Sequence, residues 1–279
     1  MARSSTKTRF LTSGAAIGVA LLAFASSADA QALEDRYWVQ VQAFWPDIDT
    51  TVEVSNTAGT RGTKIDLESD LKLSDRKSLP AIFAGARIGE RWTVVGEYYA
   101  LNRSASASAG RDLTFDDATF PAGVTIASEF KTDVYRLGVG YSFLKTDKAD
   151  VGGVVGLHVT QFTVGLKGDA RIGAAAVSTE SRKRDALAPL PTVGLYGVYQ
   201  ATPKISLGGR ADYLSLKVSD YDGRLLNLQA SASYRIWENV GVGVMYRYVD
   251  YNLGIEKDRW NGEMAYEFKG PALFLQAAF

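Results

Sequence analysis

Residues 37–45 read Tyr-Trp-Val-Gln-Val-Gln-Ala-Phe-Trp, and this short stretch indicates the fold. Successive side chains of a β-strand point to opposite faces, so Val39 and Val41 share one face while Gln40 and Gln42 share the other. An apolar face and a polar face alternate here with a period of two, whereas an amphipathic helix would need a period near 3.6. The stretch therefore predicts a strand that is apolar on one side and polar on the other.

The same alternation recurs through the chain and predicts ten strands. The other nine are expected at 79–88, 92–101, 132–143, 151–162, 190–200, 205–216, 224–236, 240–251 and 263–279. Short connections at 89–91, 144–150, 201–204 and 237–239 alternate with longer polar segments at 47–78, 102–131, 163–189, 217–223 and 252–262. Short turns at one end and long loops at the other are typical of a transmembrane barrel, with the turns in the periplasm and the loops outside the cell.

Charged residues on the polar face distinguish a membrane barrel from a soluble one, whose core would be apolar. The seven that we expect in the lumen, where they would form a charge network, are Arg87, Glu97, Arg136, Arg210, Asp212, Arg235 and Arg247. Seven charges cannot fill a dry core, but ion pairs and water can satisfy them in a narrow lumen. The sequence thus predicts an all-β fold, a single antiparallel transmembrane β-barrel of about ten strands, with eight or twelve left open.

The first thirty residues predict a cleaved secretory signal peptide. Arg3, Lys7 and Arg9 precede an apolar stretch at 10–24, and Ala28-Asp29-Ala30 has the small-x-small form of a cleavage site. We therefore expect two parts, a signal peptide at 1–30 and an outer-membrane β-barrel at 31–279.

Composition restricts the function further. Removing the signal takes three of 31 basic and one of 31 acidic residues, which leaves 28 against 30 and no basic field for nucleic acid. The chain has no cysteine, so neither disulfides nor an N-terminal lipid on cysteine is expected. We expect no cofactor.

The last ten residues, Gly-Pro-Ala-Leu-Phe-Leu-Gln-Ala-Ala-Phe, end the chain on an aromatic residue with apolar side chains at alternating positions. This segment resembles the final strand of small Gram-negative outer-membrane barrels, and residues 65–73, Ile-Asp-Leu-Glu-Ser-Asp-Leu-Lys-Leu, resemble a segment found in uncharacterised members. The resemblance, to OmpA-like or OmpW-like barrels, implies that Phe279, Leu275 and Leu273 form the barrel assembly signal. Pro271 suggests a bulge where Tyr266 and Phe268 change phase.

The resemblance also implies a place for the protein in the cell. It implies the bacterial outer membrane, with outer-membrane lipid, lipopolysaccharide, periplasmic chaperones and the barrel assembly machinery as partners.

The single histidine, His158, is the candidate for a catalytic base. Thr160 lies on the same face, where lipid A deacylases carry a serine, and no carboxylate lies nearby in sequence. Omptin proteases need an aspartate two residues before the histidine, a position held here by Gly156. Asp220 and Asp222 lack the acidic partners of a calcium loop, so no metal site is predicted.

Three functions remain open from the sequence. In the first, the protein is not an enzyme but a narrow channel for small solutes or a structural component of the envelope. The second is a lipid A-modifying enzyme around His158 and Thr160. The third is surface binding through the extracellular loops, above all those at 47–78 and 102–131.

Overall fold

The computed structural model describes residues 35–58, 60–218 and 220–279, and the expected signal peptide lies outside these described residues. The strands are β1 Tyr37–Phe44, β2 Asp47–Asn56, β3 Ile65–Asp66, β4 Leu79–Ile88, β5 Trp92–Ser108, β6 Leu113–Phe115, β7 Ala118–Phe120, β8 Thr125–Lys145, β9 Ala149–Ile172, β10 Ser178–Thr202, β11 Ile205–Val218, β12 Tyr221–Trp237, β13 Val240–Glu256 and β14 Trp260–Ala278. Within these ranges, no helix is long and apolar enough to cross a membrane.

The long strands close into one antiparallel ring. We call the strands that form this ring the wall strands. β4 pairs with β5, β5 pairs with β8, and each strand from β8 to β13 pairs with the next one along the chain. β1 closes the ring by pairing with both β4 and β14. The last strand pairs with β1 over its final residues and with β2 over its first ones, so β1 and β2 together form one interrupted wall strand. With that strand counted once, the ring has ten strands, and the predicted antiparallel barrel is confirmed.

The interruption falls where each of the two paired segments carries a proline. Trp45 and Pro46 separate β1 from β2, and they lie opposite Gly270 and Pro271 of β14. Trp45 donates its N–H to the carbonyl of Pro271 at 3.0 Å, but proline has no N–H with which to return the bond.

The prediction of a bulge at Pro271 in the last strand is wrong. The pairing of β14 with β13 runs through Pro271 without a shift, and Tyr266 and Phe268 keep the inward phase of the strand. The irregularity lies instead in the partner strand, between β1 and β2.

An apolar band surrounds the outside of the ring near the short turns. On β8 its side chains are Tyr135, Leu137, Val139, Tyr141 and Phe143, all exposed. The span 135–143 matches the ~9–11 residues that a tilted strand needs to cross the hydrocarbon of a bilayer. Exposed aromatic residues form its two borders, with Trp92, Tyr141, Phe143, Tyr199 and Trp237 near the short turns and Tyr98, Tyr135, Tyr213 and Tyr246 at the other edge.

The strands run further past this band than the alternation predicts. β8, β9 and β10 have 21, 24 and 25 residues, and the connection between β9 and β10 is only 173–177, not 163–189. Much of the expected loops at 47–78 and 102–131 is strand as well, since β2, the end of β5 and the start of β8 lie there. Beyond the band the outward side chains become polar, so the pattern that marks a strand is lost although the hydrogen-bonded ladder continues.

Two long connections, 60–78 and 109–124, fold over the end opposite the short turns, and we call them the cap. They carry β3, β6 and β7 and are tied together by the bond from Thr63 N to Thr114 O at 2.8 Å. The buried apolar side chains of the cap are Ile65, Leu67, Leu71, Leu113, Phe115 and Phe120, and they belong to the same packed cluster as residues inside the barrel. The cap therefore closes this end with an apolar core.

Candidate functional site

The seven charged residues singled out from the sequence all have their side chains inside the ring. Five of them, together with Asn227, form one connected group that we call the charge cluster: Glu97, Arg136, Arg210, Asp212 and Arg247. The other two, Arg87 and Arg235, lie nearer the short turns and pair with Asp150 and Asp35, at 2.9 and 3.0 Å.

Glu97 is the centre of the charge cluster. Its carboxylate accepts a hydrogen bond from Arg136 at 2.6 Å and another from Arg247 at 2.6 Å, with only 3% of the side chain exposed. Glu97 lies on β5 and Arg247 on β13, which are separated in the ring by β14, β1 and β4. The ion pair therefore reaches across the lumen.

Asp212 is the second anion of the cluster. It accepts bonds from Arg136 at 2.6 Å, from the Arg210 Nε at 2.9 Å and from the Asn227 amide at 2.7 Å. Asn227 in turn accepts a bond from the Nε of Arg247 at 2.9 Å, which closes the network. Charge-assisted bonds of this length are strong, and a fully connected network in a low-dielectric interior holds its members in one arrangement.

Above the charge cluster, toward the cap, the lumen is filled by an aromatic layer. Its members are Tyr99, Phe130, Phe162, Tyr251, Tyr266 and Phe268. Their rings lie 5.2 to 6.5 Å apart in contacting pairs. The Arg247 guanidinium lies 5.1 Å from the ring centre of Tyr99, a cation–π contact that joins the charge cluster to the layer. The prediction of a polar lumen therefore holds only for the half near the short turns.

Arg103 joins the aromatic layer to the cap and is almost fully buried. It donates to Thr50 Oγ1 at 2.7 Å, to the carbonyl of Ser74 at 3.1 Å and to the carboxylate of Glu68, and it lies over Phe130. Burial raises the pKa of the Glu68 carboxyl, although Arg103 acts in the opposite direction. On the other side of the cap, a hydrogen bond from Arg182 lowers the pKa of the Asp117 carboxyl.

Below the charge cluster, the lumen widens into a cavity of 270 Å³ near the short turns, which we call the cup. Its lining combines the aromatic residues Trp38, Phe83, Tyr196 and Phe274 with polar groups from most of the wall strands. Of the charge cluster, Arg210 lines the cup. The cup is thus a vestibule whose inner end is formed by the ion pairs.

Glycines on the inner face make room for the aromatic rings of the cup. A Cβ added at Gly243 would come within 2.1 Å of Phe274, and one at Gly85 within 2.2 Å of Trp38. Similarly, a Cβ at Gly152 would lie 2.4 Å from Tyr196. The rings therefore lie close against the wall, which leaves space along the axis.

His158 and Thr160 are buried inside the ring. Only 3% of His158 is exposed, its Nδ1 has no hydrogen-bond partner in the described part of the chain, and its ring lies 6.3 Å from that of Tyr251. Neither side chain reaches the outer apolar band where a lipid substrate would lie. Among the described residues, no group of three or more His, Cys, Asp or Glu is placed to hold a metal ion.

The residues expected to form the assembly signal face outward. Leu273, Leu275 and Phe279 are 53%, 60% and 45% exposed. The backbone N–H of Phe279 donates to the carbonyl of Tyr37 at 2.8 Å, so the chain end is hydrogen-bonded to the first strand.

Sequence reasoning missed several lumenal partners, among them Asp35, Asp150, Asn227 and Arg103. Three of them lie an even number of residues from an inward-facing residue of the same strand and therefore also point inward. These pairs are Asp150 with His158, Asn227 with Arg235, and Arg103 with Glu97. Extending the alternation along each strand would have placed these three inside. Which of them meet depends on the register of strands far apart in sequence.

Comparisons with known proteins agree with this architecture. The family model described as outer membrane protein beta-barrel domain matches residues 16–268. The outer membrane protease OmpT from Escherichia coli superposes with a TM-score of 0.57 at 11% identity, covering 88% of this chain and 97% of that one. The likeness to OmpT shows the fold alone.

Two further solved structures are similar at lower scores. The toluene transporter TodX from Pseudomonas putida gives a TM-score of 0.37 at 9% identity over 90% of this chain and 92% of that one. Ail, the attachment invasion locus protein of Yersinia pestis, gives 0.31 at 10% identity over 86% and 99%. A search of functionally curated proteins finds no match.

Proposed function

Because this chain belongs to the outer membrane protein β-barrel family and lies in the bacterial outer membrane, we propose that it is a closed barrel that acts as a structural component of the envelope. The observation that supports this function is the filling of the lumen. Ion pairs cross it at the charge cluster, aromatic rings fill the next level, and the cap covers the end. A small solute would have to break buried ion pairs and displace packed rings to pass.

The size of the ring supports the same proposal. About ten strands enclose little more than their own side chains, so a stable water-filled path would need small or absent side chains at some level. In this barrel, the part of the lumen nearest the cap is filled by large side chains, including Phe130, Phe162 and Tyr266, each at most 3% exposed.

Single-channel recording on the refolded chain, without residues 1–30, tests this function. In planar bilayers we expect no steady conductance steps, while a general porin refolded in the same detergent conducts. Folding is checked by the shift of the unheated band on a denaturing gel. Steady openings whose ion selectivity changes on Arg136→Glu would contradict the proposal and favour a narrow channel for small solutes.

The proposal assigns no catalysis to His158 and Thr160, because both are buried in the lumen, apart from lipid. Overexpression should therefore leave the lipid A mass spectrum unchanged; a change that His158→Ala abolishes would favour the enzyme instead.

Leu273, Leu275 and Phe279 are assigned, as part of the same proposal, to recognition by the barrel assembly machinery. Their exposure on the outer face of the barrel supports this role.

A further inference from the structure

The cup is a built cavity rather than a gap between side chains. Its 270 Å³ lies just below the range of roughly 300–1,000 Å³ found for ligand pockets. Aromatic rings held against wall glycines form part of its lining, so its shape is set by the backbone. Such a cavity suits a ligand the size of a single ring.

The charges that line the cup are unbalanced. Four of them are cationic, and two are acidic: Arg87, Lys204, Arg210 and Arg235 against Asp35 and Asp150. Behind the inner end, the charge cluster does not reduce this excess, because its two other arginines, Arg136 and Arg247, are already balanced by the carboxylates of Glu97 and Asp212. Lys204 is exposed, so one positive charge is unbalanced in the enclosed part of the cup. An enclosed charge that the protein does not balance is costly and favours an ion of opposite sign.

Arg210 is placed to meet that ion. It is the member of the charge cluster that lines the cup, and it shares its carboxylate partner, Asp212, with Arg136. A second cation of the lining, Arg87, is 9% exposed, and its Nε has no hydrogen-bond partner in the described part of the chain. Planar guanidinium groups with spare N–H donors match the geometry of a carboxylate.

The remainder of the lining favours an organic rather than an inorganic anion. Trp38, Phe83, Tyr196 and Phe274 supply apolar area beside the cations, and ligand pockets combine such area with a few placed polar groups. From these observations we infer that the cup binds a small organic anion, a carboxylate carried on one flat ring, with its charged end toward Arg210. This goes beyond the proposed structural function, and a conductance result would leave it unaffected.

Benzoate is a suitable probe, and benzamide is its neutral counterpart of the same shape. Binding to the refolded chain is followed by titration calorimetry and by tryptophan fluorescence, since Trp38 lines the cup. We expect benzoate to bind, benzamide and inorganic phosphate to bind at least tenfold more weakly, and Arg210→Met to weaken benzoate at least tenfold. Arg224→Met is the control, because Arg224 lies outside the cup and pairs with Asp250 on the half of the barrel nearer the cap.

Four results would overturn the inference. These are no benzoate binding by the folded chain, equal binding of benzamide, equal binding of phosphate, or unchanged affinity in Arg210→Met. If Arg210→Met does not fold, Ser233→Phe replaces it, since this substitution fills the cup while leaving every charge in place. Benzoate binding should then be lost, and retained binding would contradict the inference.

Discussion

At the scale of single residues, the lumen near the short turns depends on charge pairing rather than on apolar packing. Glu97 is bonded to two arginines from opposite sides of the ring and is nearly inaccessible to solvent. Removing one partner of a buried pair leaves the other charge uncompensated, which costs far more than the pair contributes on its own. Glu97 is therefore the residue whose loss should matter most to the closed lumen.

Glu97→Gln keeps the size of the side chain and removes its charge, leaving three arginines with one carboxylate. We expect a loss of about 3–5 kcal/mol in the free energy of unfolding. The measurement is the temperature at which the compact band on an unheated denaturing gel disappears. Glu267→Gln is the matched control, because Glu267 pairs with Lys269 at the surface, where such pairs contribute about 0–1 kcal/mol.

A double variant separates charge from packing in the same experiment. Arg247→Met added to Glu97→Gln restores the original excess of one positive charge, and it should recover part of the lost stability. If the double variant is less stable than Glu97→Gln alone, steric fit rather than charge balance explains the effect.

The alternation in the sequence identifies the inward face but not the contacts made there. It placed Arg136, Arg210 and Asp212 on one side of their strands, and the structure brings them together. Asp150 and Asp35, the partners of Arg87 and Arg235, were missed, since the pairing depends on strand register and ring closure. Those are properties of distant segments that no local pattern encodes.

At the scale of elements, a buried arginine is one of the groups that hold the cap to the wall. Arg103 bridges Thr50 of β2, the carbonyl of Ser74 and Glu68, and thereby joins residues 60–78 to β5. β5 has no β4 partner beyond Tyr99, so the cap fills the part of the wall between β5 and β2. A sequence pattern of period two cannot predict this packing, since the cap contains only short strands.

Arg103→Met should loosen the cap and leave the ring intact. We expect a loss of at least about 2 kcal/mol in the local stability of residues 60–78, because a buried ion pair and two hydrogen bonds are removed. Trypsin should then cut after Lys64 and Lys72 more than tenfold faster, as 1.4 kcal/mol corresponds to a factor of ten. Mass spectrometry of the fragments gives the rates.

Arg61→Met is the control for the cap, since the Arg61 side chain is 88% exposed and pairs only with Glu53 among the ion pairs of the described residues. Equal cleavage rates in the two variants would show that Arg103 does not hold the cap.

At the scale of the whole molecule, the barrel has a membrane half and a protruding half. The predicted strands were close to the observed ones near the short turns, as for β4 at 79–88, and too short at the other end. The reason is physical: lipid imposes an apolar outer face only inside the bilayer, so the alternation stops where the strand emerges into water. The number of strands could be predicted from the sequence, while the height of the barrel could not.

Two positions on the outward face of β8 test where the bilayer ends. Val139 lies midway along the apolar band and Ala127 lies in the polar extension of the same strand, and both are exposed on the outside of the ring. Val139→Arg places a charge near the bilayer midplane, which should cost about 2–4 kcal/mol, whereas Ala127→Arg should change the stability by less than about 1 kcal/mol. Reversible urea unfolding in lipid vesicles measures both. Similar losses in the two variants would mean that lipid covers the full height of β8, and the cap would then lie at the membrane surface instead of beyond it.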